Sequence, residues 1–462
     1  MKYDAKAIRL CKVTPPATPE PRIMPEIPCE VYAERLAKVR ESMAGRSLDA
    51  LVIYCDKEHF ANFNYLTGFD TRFEEGLLVV FMDGPMPVLL GNECLPLCAL
   101  AKNEVEPVLC QWFSLPNQPC DESRSLRDIL ASSGLKEEMN VGIIGWKLFP
   151  EKDKASQQYC TPSFVVDAVK AIAGSKNVCN AADMFIAPGD GLRTVNGAHE
   201  IAYYEYGAAV ASNGIMSIVN SELVGLREAD IAGCHKYEGL PLSCHPILSV
   251  GDNTIKGLVS PTDKVAKLGD AIAACIGQRG GLSVRNGYIA GQASELGEAS
   301  GFVDDLAIPY ISTVFTWYEK IGIGVTGGEV YDMVNSIFPK EKYGWTLNPG
   351  HLIADEEWLS SPVYPGSQDI FKSGMVVQMD IIPAVEGYLI NTEDGICIAD
   401  EELQKSLMEL YPEVYARMME RRRYMVEELG INLKPEILPM SNITGYYRPY
   451  FLNKELAFRA AE

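Results

Sequence analysis

The sequence predicts two domains, an α/β domain over about residues 29–187 followed by a domain of strand groups and helices over 188–440. Three observations predict this. The chain has 462 residues, too many for one ordinary hydrophobic core. Short apolar runs of strand type alternate with helical periodicities through the first part of the chain. Turn formers then cluster at Ala187-Pro-Gly-Asp-Gly191, which marks a seam.

The elements follow in order. Residues 1–28 read as an arm, because Pro15, Pro16, Pro19, Pro21, Pro25 and Pro28 oppose regular helix and central strand alike. Tyr32, Leu36, Val39 and Met43 recur at spacings of four and three and predict a helix with one apolar stripe. Ala50–Tyr54, Leu77–Phe81, Val88–Leu90 and Val141–Ile144 are apolar runs of buried-strand type. Past the seam, Ile201, Tyr204, Ala208, Ala211, Ile215 and Ile218 hold a helical spacing for about five turns, so one face must be buried. Gly225 stops that helix, and Arg227–Ile231 begins another piece. Ile247–Val250, Ala271–Ile276 and Met375–Ile382 are strands, with a helical block at about 303–338 between the two groups. Residues 441–462 read as a C-terminal tail.

Composition narrows the function classes. Apolar residues make up 47% and charged residues 22%, the balance of a chain with a substantial core. No apolar run approaches the ~20 residues of a membrane-spanning helix. The first residues carry charges and prolines where a secretory signal needs an apolar stretch, so a cytoplasmic protein without membrane partners is expected. A net charge of −21 with no basic stripe argues against nucleic acid. Arg421, Arg422 and Arg423 form a tight basic cluster in a Glu- and Met-rich helical stretch and read as a solvated helix face. The 13 cysteines lack CxxC pairs and read as small buried hydrophobes in a reducing compartment.

Several short strings, in order, resemble the creatinase/prolidase/methionine-aminopeptidase family. Asn64-Tyr-Leu-Thr-Gly-Phe69 is similar to its "YLTGF" segment. Arg193 with His199-Glu-Ile201 resembles the start of its first long helix. Gly225-Leu-Arg-Glu228, Gly251-Asp-Asn-Thr254 and Lys267-Leu-Gly-Asp270 resemble three further strings. Pro349-Gly-His351 resembles its histidine segment. Lys372-Ser-Gly-Met-Val376 with Asp380, then Thr392-Glu-Asp394, resemble its two glutamate strings. The resemblance implies a creatinase-like α/β N-terminal domain and an α+β pita-bread domain with a curved antiparallel sheet. It also implies a homodimer, in which one N-terminal domain approaches the other subunit's pocket.

Metallopeptidases of that family hold two divalent ions with two Asp, one His and two Glu, and the ions activate a bridging water. Carried onto this chain, the first aspartate position falls on Cys275 and the second near Val284. His351 keeps the histidine, Asp380 stands at the first glutamate and Glu393 at the second. Two further family histidines fall on Gly257 or Leu258 and on Trp358. Asp380 and Glu393 supply about half the negative charge that two doubly charged ions need. The expectation is therefore no metal; the alternative is one divalent ion such as Zn, Mn or Co on His351, Asp380 and Glu393. Cys275 could add a soft ligand, or be a buried structural thiol.

Creatinase resembles this chain at these positions and cleaves a C–N bond by acid–base chemistry with a histidine and carboxylates. That work needs a group titrating near neutrality. The histidine resembling creatinase's base falls near Leu258 and is absent, so His351 or His245 is expected to serve. His245 precedes a core strand, which places it toward the pocket or makes it a satisfied half-buried histidine. Arg72, Phe73, Lys256 and Trp358 are candidates for gripping a small-molecule substrate; solvated or surface-paired side chains are the plain alternative. Three functions follow. The first is a creatinase-like hydrolase of a small nitrogen-containing metabolite without a dinuclear centre. The others are a metal-dependent Xaa-Pro dipeptidase or aminopeptidase, and a non-catalytic protein that binds a small molecule or peptide.

Overall fold

The computed structural model describes residues 3–461 and divides into two compact units, residues 27–193 and residues 1–26 with 194–462. The N-terminal segment expected as an arm contains strand β1 (Ile8–Lys12) and belongs to the second unit.

The unit of residues 27–193 is a mixed α/β sheet. Its strands are β2 (Ala50–Cys55), β3 (Gly76–Phe81), β4 (Met86–Leu90), β5 (Val105–Leu109), β6 (Val141–Ile144) and β7 (Val178–Asn180), in the order β5-β4-β3-β2-β6-β7. Pairing is antiparallel between β2, β3 and β4 and parallel elsewhere. Every residue of β2 is buried, as a continuous apolar run requires when helices cover both faces of a strand. The helix Cys29–Gly45 buries Tyr32, Val39 and Met43 as its stripe predicts. Its fourth buried residue is Arg35 rather than Leu36. The Arg35 guanidinium lies over the rings of Tyr32 and Tyr65, 4.7 and 4.6 Å from their centroids. The "YLTGF"-like segment ends a helix, Ala61–Thr67, whose C-cap Gly68 has φ +80°. A Cβ there would also meet Lys102 Cγ at 2.6 Å.

The other unit is a curled antiparallel sheet wrapped on a helix. Its strands are β8 (Cys244–Val250), β9 (Ala271–Gln278), β10 (Gly281–Tyr288), β11 (His351–Leu352), β12 (Val376–Met379), β13 (Asn391–Ile398), β14 (Ile437–Pro439) and β15 (Leu456–Ala460). The order is β11-β12-β13-β10-β9-β8, with β14 also on β13 and β15 paired antiparallel with β1. The helix Ala198–Val219 buries all six residues of the predicted stripe. It lies so close to the β9–β10 turn that a Cβ on Gly281 would sit 2.3 Å from Ala208 Cα. One on Gly207 would sit 2.0 Å from the Arg279 carbonyl oxygen.

Two further expectations change here. Residues 441–462 are no loose tail: Tyr446, Tyr447 and Phe451 are buried and β15 closes a ladder. Arg421 is buried, ion-paired with the fully buried Glu205 at 2.6 Å and bonded to Asn442 and the Met440 carbonyl. Arg422 binds the carbonyls of Leu433, Lys434 and Ile437, so only Arg423 lies on a solvated face. Among the described residues no helix is long and apolar enough to cross a membrane.

Candidate active site

Strand register builds the site. Across the sheet, Ile247 on β8 pairs with Cys275, Cys275 with Val284, and Val284 with Glu393. Met379 pairs with Asp394, so Asp380, one residue on, stands beside Glu393. Cys275, Val284, Glu393 and Asp380 thus form a row on one face. His351 begins β11, paired with Gln378 two residues before Asp380. Strand periodicity sends Ser283, Arg285 and Asp394 to the opposite face.

His351 is fully buried. Its Nδ1 lies 3.1 Å from the Leu352 carbonyl oxygen, which can only accept. Nδ1 therefore carries the proton, and Nε2 presents a lone pair. That Nε2 has no hydrogen-bond partner among the described residues. It lies 3.8 Å from Glu357 Oε1 and 3.9 Å from Asp380 Oδ2. The Trp358 ring stacks on the imidazole at 4.1 Å. Burial pushes the imidazole pKa down to about 4, so His351 is neutral at physiological pH.

The acids move the other way. Burial, then the charge of Glu357, lifts Asp380 to about 7. Burial, then Asp380 and Glu357, holds Glu393 well above the carboxylate range, although Asn391 Nδ2 donates to its Oε1 at 2.6 Å. Burial also raises Glu357. Asp380 Oδ1 is buried without a partner among the described residues. Asp380 and Glu393 act directly on each other's titration. A buried carboxyl pair of this kind shares a proton rather than ionising twice. Glu357 and Trp358, each about one third exposed, form the open side of the cluster.

His351, Asp380, Glu393 and Trp358 therefore come together. His245 does not: it is exposed on β8, where a register shift between Cys244 and Ile247 turns Cys244 toward the row's face instead. Lys256 is exposed in the turn after β8, where its Nζ bonds Asn253 Oδ1 at 2.7 Å. Arg72 and Phe73 belong to the unit of residues 27–193 and are both exposed there. Sequence reading missed Glu357 and Cys244. The run Asp355-Glu-Glu357 directly before Trp358 was the signal for the first.

The donor set does not fit two ions. Cys275 and Val284 occupy the middle of the row where the family resemblance puts aspartates. Among the described residues no group of three or more His, Cys, Asp or Glu is spaced to hold a metal ion.

Comparison with known proteins defines the class. Residues 35–148 match the Creatinase/Prolidase N-terminal domain. Together with the curled antiparallel sheet, this gives the chain a creatinase-type N-terminal domain and a pita-bread fold. No curated protein matches it by sequence. Among solved structures, the prolidase from Pyrococcus horikoshii OT3 is similar with a TM-score of 0.59 at 16% identity, over 79% of this chain and 95% of that one. The Xaa-Pro dipeptidase from Bacillus anthracis gives 0.60 at 16%, over 80% and 96%. The X-Pro aminopeptidase from Thermotoga maritima MSB8 gives 0.60 at 14%, over 79% and 95%. At these identities the likeness shows the fold alone.

Proposed function

We propose that this chain is a peptidase-type hydrolase acting on the C–N bond of a short peptide, with Xaa-Pro dipeptides as the first candidates. The fold supports a peptidase reading over the creatinase-like one, since the solved structures above are a prolidase, an Xaa-Pro dipeptidase and an X-Pro aminopeptidase. One observation carries the chemistry: the unpartnered lone pair of His351 Nε2 faces a buried, proton-sharing carboxyl cluster.

Amide hydrolysis needs one group to take a proton from water and another to give one to the departing nitrogen. Asp380 and Glu393, holding a proton between them near neutrality, can fill both roles in turn. His351 Nε2 can accept a hydrogen bond from the water or the peptide N–H. Trp358 and Glu357, at the open side, are placed to meet the substrate as it enters.

The test is hydrolysis of Xaa-Pro dipeptides in the presence of EDTA. Turnover is expected with an optimum near neutral pH, falling by at least ~100-fold in Glu393→Gln. Activity that appears only when Mn, Co or Zn is added overturns the acid–base assignment. Val284 and Cys275 in place of two carboxylates favour a second reading, a protein that binds a short peptide without cleaving it. Dipeptide binding by calorimetry with no turnover under any ion would establish that one.

A further inference from the structure

We propose that Cys244 and Cys275 are a thiol pair built to close into a disulfide when a hydroperoxide reaches the pocket. The inference is independent of the hydrolase reading. Three features of the backbone bring the two together. β8 carries a bulge between Cys244 and Ile247: Cys244 pairs with Gly277 but Ile247 pairs with Cys275, so four residues of β8 span three of β9. A bulge bends its strand and re-aims the side chains beside it. Gly277 leaves its place on the face open, and a Cβ there would lie 2.9 Å from Cys244 Sγ. Cys244 therefore leans over the glycine toward the next residue on that face, which is Cys275. Cys244 is the largest influence that raises the Cys275 thiol above its ordinary range.

Other cysteines near each other are arranged differently. Cys55 and Cys94 are neighbours in the unit of residues 27–193, but each thiol donates to a backbone carbonyl, of Gly76 and of Thr71. Cys244 is half-buried and reachable, whereas Cys275 is 8% exposed and faces the acids. Cys244, then burial, then the nearby charges keep the Cys275 thiol protonated at neutral pH. The order of events follows. The Cys244 thiol sulfur attacks the peroxide O–O bond and its proton passes to the departing oxygen, giving a sulfenic acid and releasing water (or an alcohol from an organic hydroperoxide). Cys275 sulfur then attacks the Cys244 sulfur and loses its proton as the S–O bond breaks. A disulfide forms and a water molecule leaves. Two thiols are oxidised and one peroxide is reduced. The product ties β8 to β9 in the row that contains Glu393, and removes the thiol facing that acid.

The experiment treats the full-length native protein with hydrogen peroxide, blocks remaining thiols with N-ethylmaleimide, and digests without reduction. Expected is a bridged peptide pair containing Cys244 and Cys275, lighter by about 2 Da than the two thiol peptides together and released by dithiothreitol. Cys244→Ser, a small change at a half-buried position, should abolish the bridge and leave Cys275 recovered as its maleimide adduct. Recovery of both peptides as adducts while exposed Cys29 or Cys120 is oxidised overturns the proposal. So does Cys244 carried on to sulfinic acid with no bridge, or a bridge equally abundant in urea-unfolded protein.

Discussion

Glu393 and Asp394 are consecutive residues of one strand, both buried, and they live in opposite electrostatic worlds. Asp394 faces a lattice of donors: Arg285 Nη2 at 2.6 Å, Ser441 Oγ at 2.6 Å and Ser283 Oγ at 3.1 Å. Arg285 also binds the carbonyls of Tyr446 and Ile443, which anchors the chain's last segment to the sheet. Burial still leaves the Asp394 carboxyl above its usual range, against the pull of those donors. Glu393 faces Asp380, Glu357 and one amide. The difference teaches which acid is structural. A buried carboxylate that holds a fold together is surrounded by donors, while one kept short of donors stays protonated and available.

That contrast can be broken in several ways. The largest effect is expected from Arg285→Ala, which strands Asp394 without its cation and should cost roughly 3–5 kcal/mol in urea unfolding. A loss below ~1 kcal/mol would remove Asp394 from the structural side.

Next is the pH dependence of the other face. In the folded state Asp380 keeps its proton up to about 7, against a reference value of 3.8. The native state therefore binds more protons than the unfolded chain between those values, and this contribution to stability falls as pH rises through that window. His351 acts in reverse: held neutral down to about 4, it adds stability that grows from about 4 up to its reference value of 6.5. Asp380→Asn should remove the first slope and leave the second. The variant should gain on the parent as pH rises, by on the order of 4 kcal/mol at about pH 8. Parallel stability–pH curves would show Asp380 to be ionised already.

Ser441→Ala should cost about 1 kcal/mol, since Asp394 keeps Arg285 and Ser283. The smallest effect belongs to Arg423→Ala. Its pairs with Glu420 and Glu427 are exposed, so the unfolding midpoint should not move measurably. A clear shift there would mean that exposed ion pairs in this chain count as the buried ones do.

Much of the fold was legible because burial and hydrophobicity coincide in its strands and main helix. β2, β3 and the helix Ala198–Val219 bury the apolar residues that periodicity marks. β10 and β13 were legible only through the family strings. They bury Ser283, Arg285, Asn391, Glu393 and Asp394, so no apolar alternation announces them. The site's strands hid for the very reason that they carry the site. Arg421 misled in the same way, because a charge cluster on a helix gives no sign of the buried Glu205 waiting more than two hundred positions earlier. The arm hid β1 because all its prolines follow Lys12. Glu357 sits in a loop after β11, and its place beside His351 depends on how that loop folds back, with Leu352 N–H bonded to the Ser360 carbonyl. No local pattern encodes that return.

The ladder between β1 and β15 ties together two segments far apart in sequence. On a ribosome, residues 27–193 have all their own sheet partners as soon as they emerge, whereas Ile8–Lys12 must wait for Leu456–Ala460. Until then that strand is an unpaired edge, the kind of segment that chaperones guard and that misassociates when they do not. Leu456–Ala460 end its exposure.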